Sequence, residues 1–231
     1  MEVVNRRELK FGVSKTDCIR LEQKLSQLLT PDPNNGPEGY NIRSLYFDSW
    51  GSEDFYAKID GLENRKKIRL RIYHPTDTKV KLEIKRKMNI NQRKETVTIT
   101  RDDSRALIAR QYDVLLKYDN PVARAAYNIM TIDQYYPKVL IDYKRKAFMH
   151  IENNIRVTID SDIRSNEFDF DMFSPQTITL PVYDHWNALL EIKYNGDFFN
   201  WVTDAISAED STYQSLSKYC VGRSFFDNFL S

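Results

Sequence analysis

The chain has 231 residues, of which 41% are hydrophobic and 29% charged, enough for one large domain or two small ones around a buried core. Its 34 Lys and Arg balance 33 Asp and Glu, so the formal net charge of +1 excludes a global attraction to nucleic acid or to an anionic membrane. The two distant cysteines and three scattered histidines argue against a disulfide scaffold, a zinc ribbon and a His-built metal site.

Four helices are predicted in chain order. The first runs from Lys15 to Leu29, with Ser14 suited to the N-cap and Asp17 to the first turn. Further helices fit residues 102–117, 121–131 and 198–207, and Pro121 is suited to a helix start. No apolar leader and no run of about 18 apolar residues occurs, from which we expect a cytoplasmic protein.

Most of the remaining chain is predicted to form strands, because charged and apolar residues alternate with a period of two. The alternation is clearest in residues 6–10, 67–73, 79–87, 155–160 and 190–194. Such strands form either an ordinary antiparallel sheet with one solvated face or a barrel with the charged face inside. In a barrel, the helices and residues such as Phe47, Phe148 and Trp186 would cover the apolar outer face.

The polar faces of these strands favour the barrel, because they hold many more Lys and Arg than Asp and Glu. Like charges opposite one another across strands are destabilising unless an anion lies among them. A multiply charged anion is therefore the expected ligand. The sequence contains no P-loop, no dinucleotide-binding motif and no nucleophile with a matching His motif.

The order of eight short motifs resembles the VTC domain of the vacuolar transporter chaperone family. That domain is a polyphosphate polymerase of the triphosphate tunnel metalloenzyme fold. The motifs are Glu8 with Lys10 and Phe11, Ile42–Asp48, Arg69 with Arg71 and Tyr73, Leu82–Lys87, Tyr143–Phe148, Arg156–Asp160, Leu190–Tyr194 and Ser217–Tyr219.

The resemblance implies an α+β fold, in which an antiparallel β-barrel of about eight strands encloses a basic tunnel and helices pack outside, as a single domain over residues 1–231. The phosphate ligands implied are Lys10, Arg69, Arg71, Lys85, Lys87, Arg156, Lys193, Ser217 and Lys218. The catalytic residues implied are Arg69, Arg71, Lys85, Lys218 and Glu191. Glu191 would bind a divalent metal, Mn²⁺ or Mg²⁺. Glu8, Glu83 and Asp160 would assist the site, either as outer-sphere partners of the metal or by orienting the Lys and Arg side chains.

One position departs from the hydrolytic branch of this fold, which begins with Glu-x-Glu-x-Lys where this chain has Arg6, Glu8 and Lys10. The substitution favours transfer of phosphate over hydrolysis. The leading hypothesis is a phosphotransferase that moves the terminal phosphate of a nucleoside triphosphate, ATP first, onto polyphosphate. The alternatives are an inorganic triphosphatase and a non-catalytic polyphosphate-binding module. No nucleic-acid partner is expected, whereas the family suggests a membrane-protein partner encoded elsewhere, which would hold the chain at the inner face of a membrane.

Overall fold

A computed structural model describes residues 7–89, 91–150, 152, 154–182, 188–194, 212–213 and 217–223. The strands are β1 (Arg7–Val13), β2 (Thr30–Pro31), β3 (Tyr40–Asp48), β4 (Arg65–Ile72), β5 (Lys79–Met88), β6 (Asn91–Thr100), β7 (Tyr136–His150), β8 (Ile155–Asn166), β9 (Leu180–Pro181), β10 (Ala188–Tyr194) and β11 (Thr212–Tyr213). The helices are α1 (Lys15–Leu28), α2 (Glu53–Ile59), α3 (Arg101–Ile108) and α4 (Pro121–Ile132). A 3-10 helix spans Tyr112–Lys117, and a short helix covers 218–223.

Local capping explains where most helices begin. The Ser14 hydroxyl accepts a hydrogen bond from the Asp17 amide at 3.2 Å, which confirms the predicted start of α1. Pro121 lies in the first turn of α4, where its missing N–H costs nothing. The predicted helix 102–117 is instead α3 followed by the 3-10 helix, because the backbone turns to a positive φ of 64° at Arg110.

Helix α2 was not predicted, and the side chain that caps its first turn lies six residues or more earlier in the chain. The Asp48 carboxylate accepts hydrogen bonds from the amides of Asp54 and Phe55, both at 3.0 Å. The residues next to the helix start do not indicate this cap, because the capping side chain belongs to the end of the preceding strand. The predicted helix 198–207 and the expected outer residue Trp186 lie outside the described residues.

The chain divides into two compact units, and β3, β7, β8 and β9 contribute residues to both. Unit 1 comprises residues 1–41, 143–163 and 181–216, and its strands follow the order β11-β1-β10-β8-β7. Unit 2 comprises residues 42–142, 164–180 and 217–231, with the order β7-β3-β4-β5-β6. The pairings of β1 with β10, β10 with β8, β3 with β4, β4 with β5 and β5 with β6 are antiparallel, as predicted. A single domain over 1–231 stays a prediction.

Each unit buries the apolar face of its strands under helices. In unit 2 the strand face that includes Phe47 and Leu70 packs against α3, the 3-10 helix and α4. In unit 1 the face that includes Phe148 and Leu190 packs against α1. Phe47 and Phe148, which were expected to cover the apolar outer face together with the helices, lie within these buried apolar layers. Eight of the described strands have seven residues or more, matching the expected strand number, whereas closure into a barrel stays a prediction.

Candidate functional site

The polar side of β4, β5 and β6 in unit 2 carries a concentration of positive charge. Cross-strand partners share a face of a sheet, so the register of these strands determines which side chains lie together. We call this set the basic face; it consists of Arg65, Lys67, Arg69, Arg71, Lys79, Lys81, Lys85, Lys87, Lys94 and the carboxylate Glu83. Nine cations thus share one side of three strands with one carboxylate. Arg86 lies on the opposite side, where it pairs with Glu95 at 3.1 Å.

Glu83 is fully buried in the middle of the basic face. The Arg69 guanidinium donates to one of its oxygens at 2.6 and 2.7 Å, and Lys94 contacts the other at 2.9 Å. Arg71 lies 3.9 Å from the same carboxylate. Burial alone would raise the pKa of Glu83, but the charges of Arg69 and Arg71 outweigh it and lower that pKa, so the group stays ionised.

The neighbouring strand β3 supplies hydroxyl groups to the two arginines. Arg69 donates to the Tyr46 hydroxyl at 2.7 Å, and Arg71 contacts the Ser44 hydroxyl at 3.4 Å. Burial would raise the pKa of Tyr46, yet the charges of Arg69 and Arg71 lower it. At this hydroxyl the two arginine charges therefore outweigh burial even with Glu83 ionised.

The segment 217–223 is attached to unit 2 beside the basic face. Lys67 donates a hydrogen bond to Ser217, and the Tyr219 hydroxyl donates to Asp48. The Tyr219 ring stacks on Tyr46, with 5.3 Å between ring centroids. These contacts bring the predicted ligand Ser217 to the edge of the basic face, and the half-buried Lys218 follows it directly.

Unit 1 has a polar face of different character on β1, β8 and β10. We call it the charged face; it consists of Glu8, Lys10, Arg156, Asp160, Glu191 and Lys193. Three cations here accompany three carboxylates, and close pairs form within the set, since Lys10 lies 2.8 Å from Glu8 and Lys193 contacts Glu191.

Two of the four predicted metal carboxylates are engaged by arginine. Arg145 on β7 holds Asp160 through two hydrogen bonds of 2.6 and 2.7 Å, much as Arg69 holds Glu83. Of the two roles that the resemblance left open for Asp160 and Glu83, this geometry favours orienting the cations.

The remaining acids, Glu8 and Glu191, lie on adjacent strands of the charged face, and Glu191 is only 5% exposed. No group of three His, Cys, Asp or Glu suited to a metal occurs in the described part of the chain. Hard divalent ions such as Mg²⁺ are often held by one or two carboxylates together with phosphate oxygens. Glu8 and Glu191 fit such an ion only when phosphate oxygens supply further ligands.

The predicted site residues fall into two groups. Unit 2 brings together Arg69, Arg71, Lys85, Lys87, Ser217 and Lys218, and unit 1 brings together Lys10, Arg156, Lys193 and Glu191. Arg156 lies 3.2 Å from Asp32, a carboxylate that the motifs did not include. That both groups line one tunnel stays a prediction, as do the individual roles.

Sequence reasoning missed Lys94 and Tyr46 as parts of the site. The first half of strand β6 carries polar residues on both faces, since Arg93 and Glu95 alternate with Gln92 and Lys94, so a period of two in hydrophobicity appears only around Val97 and Ile99. Only the pairing of Lys94 with Lys85 across β5 and β6 would have placed it. The described residues include no helix that is long and apolar enough to cross a membrane.

Comparison with solved structures shows the fold. Two proteins named "putative adenylate cyclase" are similar. The protein from Bacillus halodurans matches with a TM-score of 0.50 and 13% identity over 90% of this chain and 87% of that chain. The protein from Vibrio parahaemolyticus matches with a TM-score of 0.50 and 13% identity over 94% of this chain and 96% of that chain. The PH1819 protein of Pyrococcus horikoshii matches with a TM-score of 0.51 and 9% identity over 97% and 99% of the two chains. No protein with a curated description matches the sequence. The family model of the VTC domain matches residues 5–226, and the chain therefore belongs to the VTC domain family.

Proposed function

We propose that this VTC domain is a polyphosphate polymerase, which transfers the terminal phosphate of a nucleoside triphosphate, ATP first, onto a polyphosphate chain. The observation that carries the proposal is the basic face, where nine cations share one side of three strands with the single carboxylate Glu83. Such a face is stabilised by an anion that carries many charges along its length. Polyphosphate and the triphosphate of ATP are anions of this kind.

Phosphoryl transfer requires little from the protein beyond positioning the reactants and stabilising negative charge. A terminal oxygen of polyphosphate attacks the γ-phosphorus of ATP, the bond from that phosphorus to the β–γ bridging oxygen breaks, and ADP leaves. Arg69 and Arg71 would hold phosphate oxygens through paired hydrogen bonds, while Lys85 and Lys218 would add movable positive charges. Together they would stabilise the charge on the transferred group and align the two chains.

The family implies a divalent metal, Mn²⁺ or Mg²⁺, which supplies charge neutralisation on the phosphate oxygens when it is bound. Glu191 and Glu8 are the residues that would hold it. Lys10 and Lys193 lie opposite Glu191 and Glu8 in the strand register. These two lysines would also bind the outer phosphates.

The test is incubation of the purified chain with ATP and Mn²⁺, followed by a gel for long-chain polyphosphate and an assay for free orthophosphate. Polymer formed together with one ADP per phosphate added is the expected result. Orthophosphate without polymer would establish a triphosphatase instead. Polyphosphate binding that is equally tight with and without the metal, in the absence of any turnover, would identify a binding module.

A thermal melt provides an independent check on the ligand. Tripolyphosphate should raise the Tm, because it relieves repulsion among the cations; at a hundred times Kd, mass action alone adds about 2.7 kcal/mol of stability. Adenosine, which has no phosphate, should leave the Tm unchanged. An equal shift with adenosine would contradict the assignment of the basic face as a phosphate site.

A further inference from the structure

Unit 2 contains a cavity of about 490 Å³ that includes none of the predicted phosphate ligands. Its lining combines three cations, one carboxylate and two aromatic rings, namely Arg110, Lys138, Arg223, Glu167, Tyr136 and Phe170. The volume lies within the range of small-molecule sites, which are typically about 300–1,000 Å³. The cavity is therefore large enough for a ligand of its own.

Lys138 provides the strongest sign that this ligand is an anion. The residue is only 6% exposed, and among the described residues no carboxylate lies within 4 Å of its ammonium group. Its contacts are neutral: the Ser52 hydroxyl at 2.9 Å, the Tyr136 hydroxyl, the Tyr136 ring with its centroid 4.0 Å away, and the Trp50 carbonyl oxygen at 3.4 Å. A buried charge is costly unless an opposite charge compensates it. An anion in the adjoining cavity would supply that charge.

Two further groups would act on the same anion. Tyr136 accepts a hydrogen bond from Lys138, so its own hydroxyl proton remains to be donated to a ligand oxygen. The exposed Arg110 makes no ion pair with any described residue. Arg223 and Glu167 lie 3.7 Å apart and offset each other's charge. The lining therefore holds an excess of two positive charges, from Lys138 and Arg110.

We propose that this cavity binds a phosphate monoester carried by an aromatic base, the chemical class of a nucleoside monophosphate. The two negative charges of a phosphate monoester at neutral pH match Lys138 and Arg110. The rings of Tyr136 and Phe170, together with Pro137, offer apolar surface for a planar group. The site is separate from the basic face and does not depend on the reaction proposed there.

The decisive experiment is calorimetric titration of AMP into the Arg69→Ala, Arg71→Ala double variant, in which the basic face is weakened. We expect one bound AMP per chain. Adding Arg110→Ala or Lys138→Met should lower its affinity at least tenfold, and Tyr136→Phe should lower it less. Arg124→Ala removes an exposed arginine of α4 outside the cavity and should have no effect.

The ligand class is checked with fragments of AMP. Ribose 5-phosphate should bind more weakly than AMP, since it lacks the base, and adenosine more weakly still, since it lacks the charge. Absence of AMP binding would overturn the proposal, as would binding that Arg110→Ala leaves unchanged. Arg110 is exposed, so its variant keeps the test valid even if Lys138→Met fails to fold. Polymer synthesis by the single variant Arg110→Ala should match the wild type, which separates this site from the proposed function.

Discussion

The basic face of unit 2 and the charged face of unit 1 are built from the same alternating strand pattern but differ in charge balance. The first holds nine cations around one carboxylate, whereas the second holds three of each sign. The charged face can neutralise itself internally, as the pairing of Lys193 with Glu191 illustrates. The basic face lacks enough acids to do so. Under the proposed function, affinity for phosphate would come mainly from unit 2, and the carboxylates that would hold the metal lie in unit 1.

The largest effect expected from this division is on turnover. Glu191→Gln should lower kcat by at least about a hundredfold, because the metal it would hold acts on charge that develops in the transition state. Affinity for triphosphate should stay the same or rise, since the carboxylate repels phosphate in the ground state.

A turnover assay run beside a metal titration measures both effects of Glu191→Gln. The matched control is Glu38→Gln, which alters an exposed acid of unit 1 that pairs with Lys144. A Glu191→Gln protein that makes polymer at a near-normal rate would remove Glu191 from the mechanism.

The next effect should appear in binding and in unit 2. Arg69→Ala and Arg71→Ala should each weaken tripolyphosphate binding by about 1.5–3 kcal/mol, the usual loss for a hydrogen bond to a charged group. Arg86→Ala should change binding little, because Arg86 lies on the opposite side of β5 and pairs with Glu95. Calorimetry on the three variants tests this; equal losses in all three would mean that the basic face does not select the ligand.

A smaller effect is expected from Glu83→Gln. The substitution removes the one carboxylate of the basic face but keeps an oxygen that can accept from Arg69, so we expect a loss of about 1.5 kcal/mol of stability. Tripolyphosphate should raise the Tm of this variant more than that of the wild type, because the ligand then has no internal competitor. Glu95→Gln, on the opposite face, serves as the control in thermal melts. A smaller ligand-induced rise in Glu83→Gln would show that Glu83 helps to build the site rather than competing for it.

The same carboxylate predicts a dependence on pH. The folded pKa of Glu83 lies below its ordinary value of 4.5, so its stabilising contribution is present above that value. The contribution is lost as the pH falls from 4.5 through the lowered pKa. The Glu83→Gln variant should lack this part of the acid sensitivity.

The smallest effect concerns Asp54, a carboxyl group that is buried next to Asp48 in unit 2. Burial, followed by the charge of Asp48, raises its pKa from 3.8 to about 7. Between these values the folded protein binds the proton more tightly than the unfolded chain, so this group makes stability fall as the pH rises from about 4 to 7.

Asp54→Asn should therefore raise the Tm at pH 8 by a few degrees and change it little at pH 4. The amide can still accept the hydrogen bond that Tyr135 donates at 2.8 Å. The exposed Asp119→Asn provides a control without burial. An equal change in Tm at both pH values would mean that Asp54 does not titrate in this window.

The sequence allowed good prediction where one side of an element is apolar. Strands β4 and β5 alternate charged and aliphatic residues, and the helix that begins at Lys15 has both a local cap and buried leucines. Strand β6 was not recognised, because neither of its faces is consistently apolar. Helix α2 depends on Asp48, whose capping role arises only when the end of β3 meets the helix start. The site motifs predicted the members of each face, but the enclosure of Glu83 by Arg69 and Lys94 depends on strand register, which composition does not specify.

Glu83 also gives the basic face a resident counterion. Because Glu83 already neutralises part of the positive charge, an anion that binds there displaces fewer dissolved counterions than the nine cations alone would require. Binding of polyphosphate should accordingly weaken with added salt less steeply than the number of lysines and arginines suggests.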